Sequence, residues 1–425
     1  MNLLVVGGGG REHAVIKKLK ENAAVETVYA LPGNGGIAAD AVCAPEIGAK
    51  DIDKIVAFAK EKAVDFVVVT PDDPLALGCV DALHEAGIAC FGPDAKAARI
   101  ESSKVFSKNL MKKYGIPTAS YEVFTDAQAA LEYLKTSAYP TVIKADGLAL
   151  GKGVMIPTTY QEAEAAVRSI MEDKTFGDSG NQIVIEEFLT GPEVSVLAFT
   201  DGTAIAPMVS SMDHKRALDG DEGPNTGGMG TVAPNPCYTA EIAQVCMDTI
   251  FLPTLAAMRA EGCPFKGCLY FGLMLTPNGP KVIEYNSRFG DPETQVVLPL
   301  LKTDLLTVMR AVENETLGEL NVEWHDASAA CVILASGGYP GSYAKGKVLS
   351  IPGDLPANVT VYHAGDKLDG DTLVTSGGRV LGITAVGATL SAALADAYAA
   401  AERIDFDGKY MRRDIGQRAL NATKE

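Results

Sequence analysis

Residues 2–14, NLLVVGGGGREHA, join a short apolar run to a glycine turn and then to a helical segment. A strand that passes through a glycine turn into a helix is the first half of a βαβ unit. Further apolar runs and helical segments alternate along the first hundred residues: runs at Val25–Ala30, Asp65–Thr70 and Ile88–Phe91, helices at Ile52–Lys62 and Leu75–Ala86. This alternation predicts an α/β domain with a parallel sheet that is covered on both faces.

The glycine turn differs from the fingerprint of dinucleotide-binding Rossmann domains. A GxGxxG motif that starts at Gly7 requires glycine at position 12, where the chain has Glu12, and the second strand runs into LPG without an acidic residue for a ribose. We therefore predict a Rossmann-like domain that does not bind NAD. The turn can present N–H groups to a phosphate at a helix N-terminus, and it fits equally well a turn that only packs.

Composition narrows the class of protein. The chain has 425 residues, which suggests about three domains, and 47% of them are apolar, as in a folded globular protein. A net charge of -17 argues against nucleic acid as a partner. The N-terminus does not resemble a signal peptide, and we expect no apolar run long enough to span a bilayer. The eight cysteines form no CxxC pair, which predicts buried free thiols in a cytoplasmic protein without a membrane partner.

Residues 141–156, TVIKADGLALGKGVMI, form a strand, a glycine turn and a second strand. Lys144 ends the first strand and Lys152 lies in the turn. The spacing is too short for a Walker A loop, and Gly153 stands where Ser or Thr would bind magnesium. Two lysines around a glycine flap can still cover a triphosphate and exclude water. Taken alone, the pattern is also that of a structural hairpin.

Two more strand ends carry polar side chains. In QIVIEEFLTGPE (Gln182–Glu193) an apolar strand ends in acidic residues, an arrangement suited to an adenine and a ribose but also to a solvated turn. In KVIEYN (Lys281–Asn286) the strand period of two puts Glu284 and Asn286 on one face. A carboxylate and an amide oxygen side by side suit a hard cation such as Mg²⁺.

Two polar loops complete the pattern. Asp213–Gly230, DHKRALDGDEGPNTGGMG, combines adjacent basic residues with many glycines, and Ile283–Gln295, IEYNSRFGDPETQ, has the same character. Glycine N–H groups together with Lys and Arg suit an anionic ligand, although a single loop of this kind is often only a solvated surface loop. His214 lies within the first loop and is therefore a candidate functional residue.

Together these segments resemble one family, the glycinamide ribonucleotide synthetases of the ATP-grasp superfamily. The resemblance covers essentially the whole chain and includes VVGGGGREHA, LPGNGG, ESSKVFSKNLM, VIKADGLALGKGV, VIEEFLTGPEVSVLAFTDG, DHKR…GPNTGGMG, NSRFGDPETQ, SGGYPGSYAKGK and VTSGGRVLGITA. The pairing of DHKR…GPNTGGMG with NSRFGDPETQ is the most specific part, because other ATP-grasp ligases share only the lysines and the glycine flap.

The resemblance implies an α/β architecture that is α+β in parts. A Rossmann-like substrate-binding domain would span residues 1–101. ATP-grasp domains A and B would occupy 102–325, with 118–190 as a mobile subdomain that covers the nucleotide. A small C-terminal mixed domain would span 326–425.

The resemblance also implies a ligase reaction in purine biosynthesis. ATP, glycine and 5-phosphoribosylamine would give glycinamide ribonucleotide, ADP and phosphate through a glycyl phosphate, with Mg²⁺ or Mn²⁺ as cofactor. These small molecules would be the partners of a monomeric enzyme. The lysines, arginines and glycines of these segments fit this reaction, since phosphoryl transfer needs positioning and charge neutralisation more than a nucleophilic side chain.

Site residues are implied position by position. The nucleotide would be bound by Lys104, Lys144, Gly151, Lys152, Gly153, Glu186, Phe188, Leu189 and Glu193. Metal ligands would be Glu284 and Asn286. The two other substrates would be bound by Gly8, Gly9, Gly10, Arg11, Asn34, Lys215, Arg216, Asn225, Thr226, Gly227, Gly228, Arg288 and Asp291. The groups closest to the chemistry would be Arg288, Asp213 and Lys215, with the Arg288 fork suited to an acyl phosphate or a carboxylate.

One departure from the superfamily concerns metal. Many ATP-grasp enzymes carry an acidic ligand on the strand that precedes the KVIEYN strand, but Gly267–Thr276, GCLYFGLMLT, has no acidic residue. Two other classes stay open at this point: another ATP-grasp carboxylate–amine ligase or biotin-carboxylase-like enzyme, and a nucleotide-binding sensor or dehydrogenase. The first class would be recognised by ATP cleavage that depends on bicarbonate or another amino acid instead of glycine. The second would be supported by binding of NADH without binding of ATP.

Overall fold

The computed structural model describes residues 1–148 and 153–422. Its N-terminal part is a five-stranded parallel sheet with the order β3-β2-β1-β4-β5, which confirms the predicted Rossmann-like α/β arrangement. The strands are β1 (Asn2–Gly7), β2 (Thr27–Pro32), β3 (Val42–Cys43), β4 (Phe66–Val69) and β5 (Cys90–Phe91). Strands β1 and β4 are almost wholly buried, as near-continuous apolar runs in a sheet covered on both faces should be.

Five helices accompany this sheet: α1 (Gly10–Leu19), α2 (Ile52–Glu61), α3 (Asp72–Ala76), α4 (Cys79–Glu85) and α5 (Ala95–Ser102), with a 3₁₀ turn at Ile37–Ala39. The prediction of one helix over Leu75–Ala86 is wrong. Gly78 adopts a left-handed conformation with φ +84°, which ends α3 and starts α4.

Residues 104–187 contribute a helix and a small antiparallel sheet with the order β6-β9-β7-β8. The elements are α6 (Lys104–Tyr114), β6 (Tyr121–Phe124), α7 (Ala127–Leu134), β7 (Thr141–Ala145), β8 (Val154–Met155), α8 (Tyr160–Val167) with a following π turn (Arg168–Glu172), a 3₁₀ turn (Gly177–Gly180) and β9 (Ile183–Glu187). Helices α7 and α8 pack on one face of the sheet through Leu131, Leu134, Val167 and Ile170. The opposite face is free to cover a ligand.

A second antiparallel sheet, with the order β11-β10-β16-β17, forms the centre of the molecule. Its strands are β10 (Glu193–Asp201), β11 (Ile205–Pro207), β16 (Lys266–Thr276) and β17 (Gly279–Asn286). Around it lie α9 (Ala240–Cys246), a π turn (Met247–Phe251), α10 (Leu252–Ala260), α11 (Thr294–Val297), α12 (Leu305–Glu313) and 3₁₀ turns at Leu298–Leu300 and Leu317–Glu319.

The polar loop at residues 213–230 contains short strands: β12 (Met212–Asp213), β13 (Arg216–Leu218), β14 (Glu222–Asn225) and β15 (Gly230–Ala233), with a 3₁₀ turn at Asp219–Asp221. Strands β12 and β15 extend the C-terminal sheet, whose order is β12-β15-β18-β22-β19 with β23 beside β18. The remaining strands of this sheet are β18 (Ser328–Ser336), β19 (Val359–His363), β22 (Arg379–Gly387) and β23 (Lys409–Tyr410). Strands β20 (Asp366–Asp369) and β21 (Thr372–Thr375) pair as a separate two-stranded sheet, and the helices of this part are α13 (Leu390–Arg403) and α14 (Gln417–Ala422).

One hydrophobic core joins the three parts of the chain. It contains Leu3 and Val5 of β1, Leu197 and Phe199 of β10, and Ile333 of β18. A polar contact between the first and last parts adds to it: the His363 N–H donates to His13 Nδ1 at 2.9 Å, while His13 Nε2 lies 2.9 Å from Asp40. The sheets are thereby fixed around a shared centre.

The continuous helical run Ala240–Ala260 is long and apolar enough, by length and composition, to cross a membrane. It therefore corrects the expectation that the chain has no such run. Cys246, Ile250, Phe251 and Leu255 from this run pack in a buried core with strands β10 and β16. That packing is typical of a core helix. All eight cysteines are free, and six of them are buried, as predicted.

Candidate active site

A cleft of about 570 Å³ lies between the β6-β9-β7-β8 sheet, the central sheet and the polar loops. Residues predicted for the site that line it are Lys104, Lys144, Gly153, Glu186, Phe188, Leu189, Glu193, Asp213, Lys215, Arg216, Asn225, Thr226, Gly227, Glu284, Asn286, Arg288 and Asp291. Those that do not line it are Gly8, Gly9, Gly10, Arg11, Asn34 and Gly228. Gly151 and Lys152 lie outside the described residues.

We call the set Lys104, Lys108, Lys144 and Glu186 the lysine half of the cleft. Within it, Glu186 is 4% exposed and lies between two lysines, 2.8 Å from Lys108 Nζ and 2.9 Å from Lys144 Nζ. The Lys144 contact is an ion pair without hydrogen-bond geometry, and Glu186 Oε1 has no hydrogen-bond partner among residues 1–148 and 153–422. Lys144 instead donates to the backbone carbonyl of Ile283 at 2.9 Å.

Burial works against the charges of these lysines. Lys104 donates to the Gly147 carbonyl at 2.8 Å, and burial lowers its pKa. Burial likewise lowers the pKa of Lys108 to about 8, although Glu186 opposes the shift. Closely spaced cations that are only partly compensated attract an anion strongly in a site with little water. The lysine half therefore suits a polyphosphate.

Sequence reasoning missed Lys108. Its Nζ donates to Thr118 Oγ1 at 2.8 Å, and Thr118 Oγ1 donates to the Val282 carbonyl at 2.7 Å. It stands one helical turn after Lys104 on α6, so both side chains reach the same side of the helix. That i, i+4 spacing in ESSKVFSK was the signal that could have found it.

We call the set Asp213, Lys215, Glu284, Arg288, Asp291 and Glu293 the loop half of the cleft. Arg288 follows β17, and its guanidinium lies 2.9 Å from Glu101 Oε1, while Glu101 Oε2 accepts hydrogen bonds from the N–H and Oγ of Ser287. Among the residues that the structure describes, Arg288 Nε has no hydrogen-bond partner. An arginine that is held through NH2, with a donor left over, is suited to bind an incoming oxyanion.

Lys215 lies between two carboxylates, 3.6 Å from Glu284 and 3.8 Å from Glu193. Its side chain is 38% exposed because it faces the open cleft, although protein atoms surround it on the other sides. Burial opposes the charge on Glu284, but Lys215, Lys144 and Lys104 outweigh it and lower the pKa of Glu284 to about 2. Glu284 is therefore ionised at neutral pH.

Two other carboxylates behave in the opposite way. Glu293 is 4% exposed and accepts a hydrogen bond from the Tyr270 hydroxyl at 3.1 Å. Burial raises the pKa of Glu293, and burial together with the charge of Glu293 raises the pKa of Asp213. The pair favours holding a proton, which makes it a candidate acid–base group. Sequence reasoning quoted Glu293 within NSRFGDPETQ but gave it no role.

Arg379, at the start of β22, ties the two polar loops together. Its NH1 donates to the carbonyls of Gly227 at 2.7 Å and Asp291 at 2.8 Å, and its NH2 lies 3.0 Å from the Asp291 carboxylate. On the same side, the Gly227 N–H donates to the Tyr339 hydroxyl at 3.1 Å. No role was predicted for Arg379, because it lies in a segment that shows no polar cluster in the sequence.

The 213–230 loop is also held by residues 412–418. Buried Arg412 contacts Asp221 at 2.9 Å, and Arg418 contacts the same carboxylate at 2.8 Å. The expectation that His214 is functional is not supported by its contacts. His214 is fully buried, its Nδ1 lies 3.0 Å from the Gly230 carbonyl and its Nε2 accepts from the Gly416 N–H at 3.1 Å, so its ring cross-links the backbone.

The glycine turn at residues 7–10 adjoins the cleft without lining it. The Gly9 N–H donates to the Glu12 carboxylate at 2.6 Å, so this donor is already used within the protein. Arg11 donates to Glu12 at 2.6 Å and to the Phe289 carbonyl at 3.2 Å. The amide of Asn34 donates to the carbonyls of Gly8, His363 and Ala364. These residues connect the N-terminal sheet to the loop half and to β19.

Among residues 1–148 and 153–422, we find no group of three His, Cys, Asp or Glu side chains arranged to hold a metal ion. The predicted metal residues do lie together on β17: Glu284 faces Lys215, and the Asn286 amide oxygen lies 3.4 Å from Arg288 NH2. One ionised carboxylate and one amide oxygen form an incomplete ligand set. Mg²⁺ commonly completes such a set with phosphate oxygens and water.

The fold is that of ATP-grasp enzymes. A crystal structure of biotin carboxylase from Campylobacter jejuni is similar with a TM-score of 0.74 at 14% identity, over 96% of this chain and 92% of that one. A crystal structure of a phosphoribosylamine–glycine ligase from Thermotoga maritima gives a TM-score of 0.85 at 35% identity, over 98% of this chain and 100% of that one.

Sequence comparison gives the family. The family models for phosphoribosylglycinamide synthetase match as the N domain at residues 1–101, the ATP-grasp (A) domain at 102–294 and the C domain at 329–418. The phosphoribosylamine–glycine ligase of Caldanaerobacter subterraneus is 47% identical over 98% of this chain and 99% of its own length, and that of Vibrio cholerae is 45% identical over 99% of both. The chain belongs to the phosphoribosylglycinamide synthetase family, whose members are ligases.

Proposed function

We propose that the cleft ligates glycine to 5-phosphoribosylamine and cleaves ATP to ADP and phosphate, as a step of purine biosynthesis. Membership of the phosphoribosylglycinamide synthetase family gives this reaction. The observation that carries the proposal is that one cleft is lined both by the lysine half and by the two loops, DHKR…GPNTGG and NSRFGDPE. A cationic site for a polyphosphate thus faces the segments that are most specific for the family.

Two displacements account for the reaction. The glycine carboxylate attacks the γ-phosphorus of ATP, so that an O–P bond forms and ADP leaves. The amine of phosphoribosylamine then attacks the carbonyl carbon of glycyl phosphate. A C–N bond forms, the C–O bond to phosphate breaks, and the amine loses a proton. Both steps build negative charge on oxygens, which fixed cations stabilise when water is excluded.

The lysine half supports a nucleotide site. We assign the triphosphate to Lys104 and Lys144, with Gly153 and the undescribed Gly151 and Lys152 as the covering turn. Phe188 and Leu189, which line the cleft after β9, would flank the adenine, and Glu193 would hold the ribose. Because the Glu186 carboxylate is used by two lysines, we assign adenine recognition at this position to the backbone rather than to the side chain.

Glu284 and Asn286 are the residues that would hold Mg²⁺ or Mn²⁺. They fit a hard divalent cation, because Glu284 is ionised and both oxygens belong to alternate positions of β17. The cation, when bound, would neutralise phosphate charge and orient the triphosphate. Both residues line the cleft that the two halves share, which supports a cation site where the triphosphate and the glycine carboxylate would meet.

The loop half supports the two remaining substrates. Arg288 would bind the glycine carboxylate or the acyl phosphate, since Glu101 holds its NH2 and its Nε has no hydrogen-bond partner within the described part of the chain. Asp213 and Glu293, which favour a shared proton, would accept the proton that the amine loses. The other residues assigned to phosphoribosylamine and glycine are Lys215, Arg216, Asn225, Thr226, Gly227, Gly228 and Asp291.

Gly8, Gly9, Gly10, Arg11 and Asn34 would complete the phosphoribosylamine site from the N-terminal sheet. The glycine turn lies close to the loop half: a Cβ added to Gly9 would be 3.8 Å from the Asp291 carboxylate. We propose the same division of labour for the whole chain: substrate binding by 1–101, nucleotide chemistry by 102–325 with 118–190 as the moving cover, and closure of the site by 326–425. We also propose that the enzyme acts as a monomer in the cytoplasm on these small molecules.

The test is ADP release from Mg²⁺-ATP with freshly generated 5-phosphoribosylamine, with and without glycine. We expect ADP only when both substrates are present, together with glycinamide ribonucleotide detected by mass. Replacement of glycine by bicarbonate or alanine serves as the control and should give no ADP. A folded, ATP-binding sample that no combination of the two substrates stimulates would overturn the proposal.

A further inference from the structure

Glu186 presents an electrostatic problem that the proposed nucleotide site does not by itself solve. Its carboxylate is almost fully buried and lies 2.9 Å from Lys144, the lysine assigned to the triphosphate. A buried carboxylate holds an adjacent cation strongly, because neither group has water to replace the other. Glu186 and the triphosphate must therefore compete for Lys144.

Lys108 is placed to remove that competition. Its Nζ lies 2.8 Å from the other oxygen of the same carboxylate, and it is 3% exposed. Two lysines and one carboxylate leave the cluster with one net positive charge. Without Lys108, Lys144 and Glu186 would form a neutral pair, and the triphosphate would have to break that pair to gain a cation.

The surroundings hold Lys108 in this position. It projects from α6 and donates to Thr118 Oγ1 at 2.8 Å, and Thr118 donates in turn to the Val282 carbonyl of β17 at 2.7 Å. The Tyr121 ring centre lies 5.5 Å from Lys108 Nζ. Together with Glu186 of β9, the contacts come from Thr118, which precedes β6, and from Tyr121 of β6, so Nζ cannot easily leave Glu186 to reach a nucleotide itself.

We infer that Lys108 is a positioning residue for the nucleotide: it compensates the charge of Glu186, which leaves Lys144 free to bind the triphosphate. The inference rests on the proposed nucleotide site. It requires no contact between Lys108 and the nucleotide, and it treats the Glu186 carboxylate as a competitor for Lys144 that Lys108 neutralises, rather than as a group that reads the adenine.

The inference predicts a specific pattern in a double-mutant cycle. Lys108→Met should weaken the binding of Mg²⁺ with a non-hydrolysable ATP analogue about tenfold or more, a change of roughly 1.4 kcal/mol. Glu186→Gln should bind at least as tightly as the unmodified chain. The double variant should recover affinity to within about threefold of Glu186→Gln, because the competing charge is gone. Titration calorimetry on the full chain, without glycine or phosphoribosylamine, measures all four constants.

Lys112→Met is the matched control. Lys112 lies one turn further along α6, is exposed, and has its Nζ 5.5 Å from the same Tyr121 ring, but no carboxylate contact comparable to that of Lys108 is found for it within the described chain. Its loss should leave nucleotide affinity unchanged. A purely structural role of Lys108 would instead predict that the double variant is as weak as Lys108→Met or weaker.

Three results would overturn the inference: a folded Lys108→Met that binds the analogue like the unmodified chain, a double variant that shows no recovery, or a Glu186→Gln that binds tenfold more weakly. The last comparison decides the matter if Lys108→Met does not fold. Since only nucleotide binding is measured, each of these results leaves the ligation of glycine untouched. Conversely, if glycine-dependent ADP release were absent, the proposed ligation would fail, but the four nucleotide-binding constants would still test the role of Lys108.

Discussion

The two halves of the cleft are assembled in different ways. In the lysine half, side chains pair with one another or with carbonyls, and all of these contacts join positions between Lys104 and Ile283. In the loop half, the loops are fixed by side chains from distant parts of the chain: Glu101 from the first part and Arg379 from the last. Nucleotide binding should therefore depend on one part of the molecule, and use of the other substrates on all three.

The largest effect is expected at Arg288, which we propose to bind the reacting carboxylate or acyl phosphate. Arg288→Lys should raise the barrier to turnover by about 2–4 kcal/mol, because lysine cannot offer two fixed N–H groups to an oxyanion. Nucleotide affinity should remain, which would separate the two halves. A coupled assay of ADP release measures turnover, and titration calorimetry measures nucleotide binding.

Glu101→Gln sharpens the same test. It keeps a hydrogen-bond acceptor for Ser287 but removes the charge that fixes Arg288, so its loss of turnover should be smaller than that of Arg288→Lys. Full glycine-dependent turnover in a folded Arg288→Lys variant would show that the guanidinium fork is not needed.

The second effect concerns Arg379, which touches both loops from outside the cleft. Arg379→Met should cost roughly 2 kcal/mol in kcat/KM for glycine and phosphoribosylamine, because the carbonyls of Gly227 and Asp291 and the Asp291 carboxylate lose their common partner. The Kd for the ATP analogue should stay within about twofold of the original, a difference under 0.5 kcal/mol.

Arg403→Met is the control for this prediction. Arg403 lies in the same C-terminal part, on α13, and forms an exposed ion pair with Asp354, a kind of contact that contributes little to stability. Equal losses of nucleotide and substrate affinity in Arg379→Met would contradict the division into two halves.

A smaller effect is expected from pH, through His214. Burial first, and then the charges of Arg418 and Arg412, lower the pKa of His214 to about 4 from its ordinary 6.5, while Asp221 acts in the opposite direction. The unfolded chain therefore binds the proton more readily, and the stability contributed by neutral His214 is lost as pH falls from about 6.5 towards 4. At pH 5.5 the loss should be about 1.4 kcal/mol relative to pH 7.5.

Denaturant unfolding at the two pH values measures this loss. The glutamine in His214→Gln is neutral at both pH values. The difference in unfolding free energy between pH 7.5 and pH 5.5 should therefore be smaller in this variant by about 1.4 kcal/mol. Hydrogen exchange at the same pH values should show lost protection at residues 213–230 and retained protection in β7 and β9, which contain no histidine. An identical pH dependence in the variant and the original chain would exclude His214 as the cause.

The smallest effect is expected from a helix cap in the lysine half. Ser103 Oγ accepts a hydrogen bond from the Phe106 N–H at 3.0 Å at the start of α6, the helix that carries Lys104 and Lys108. Ser103→Ala should cost about 1 kcal/mol of stability and weaken nucleotide binding measurably.

Thr159→Ala removes the corresponding cap of α8, where Thr159 Oγ1 accepts from the Glu162 N–H at 3.3 Å. It should lower the melting temperature similarly while nucleotide affinity stays constant. If both caps changed affinity alike, the effect of Ser103 would reflect general stability rather than the placement of the lysines.

Local patterns explain what the sequence could predict. Apolar runs and glycine turns located the parallel sheet, and the two strands predicted within residues 141–156 are β7 (Thr141–Ala145) and β8 (Val154–Met155) in the structure. Lys144, Glu186 and Glu284 were found because each lies at a strand end or on a strand face, where a period of two reveals its direction. The loops at 213–230 and 283–295 were found by composition and by the family resemblance.

Contacts between distant segments explain what was missed. Glu101 meets Ser287 across 186 positions, and Arg379 meets Gly227 across 152, so no local spacing could reveal either pair. In the glycine turn the pattern left two interpretations open, and the structure adds a contact that it did not reveal. Glu12, three residues further on, accepts a hydrogen bond from the Gly9 N–H, as in a capping box.

The bond between His214 and Gly416 spans 202 positions, and Asp221 reaches Arg412 across 191. A ribosome releases the chain from its N-terminus, and domains fold as they emerge. Every contact of the lysine half lies before residue 284, so a growing chain can complete that half while residues 412–418 do not yet exist. Capacity to hold a nucleotide should thus precede capacity to consume it, and the order of synthesis itself should prevent an unfinished chain from wasting ATP.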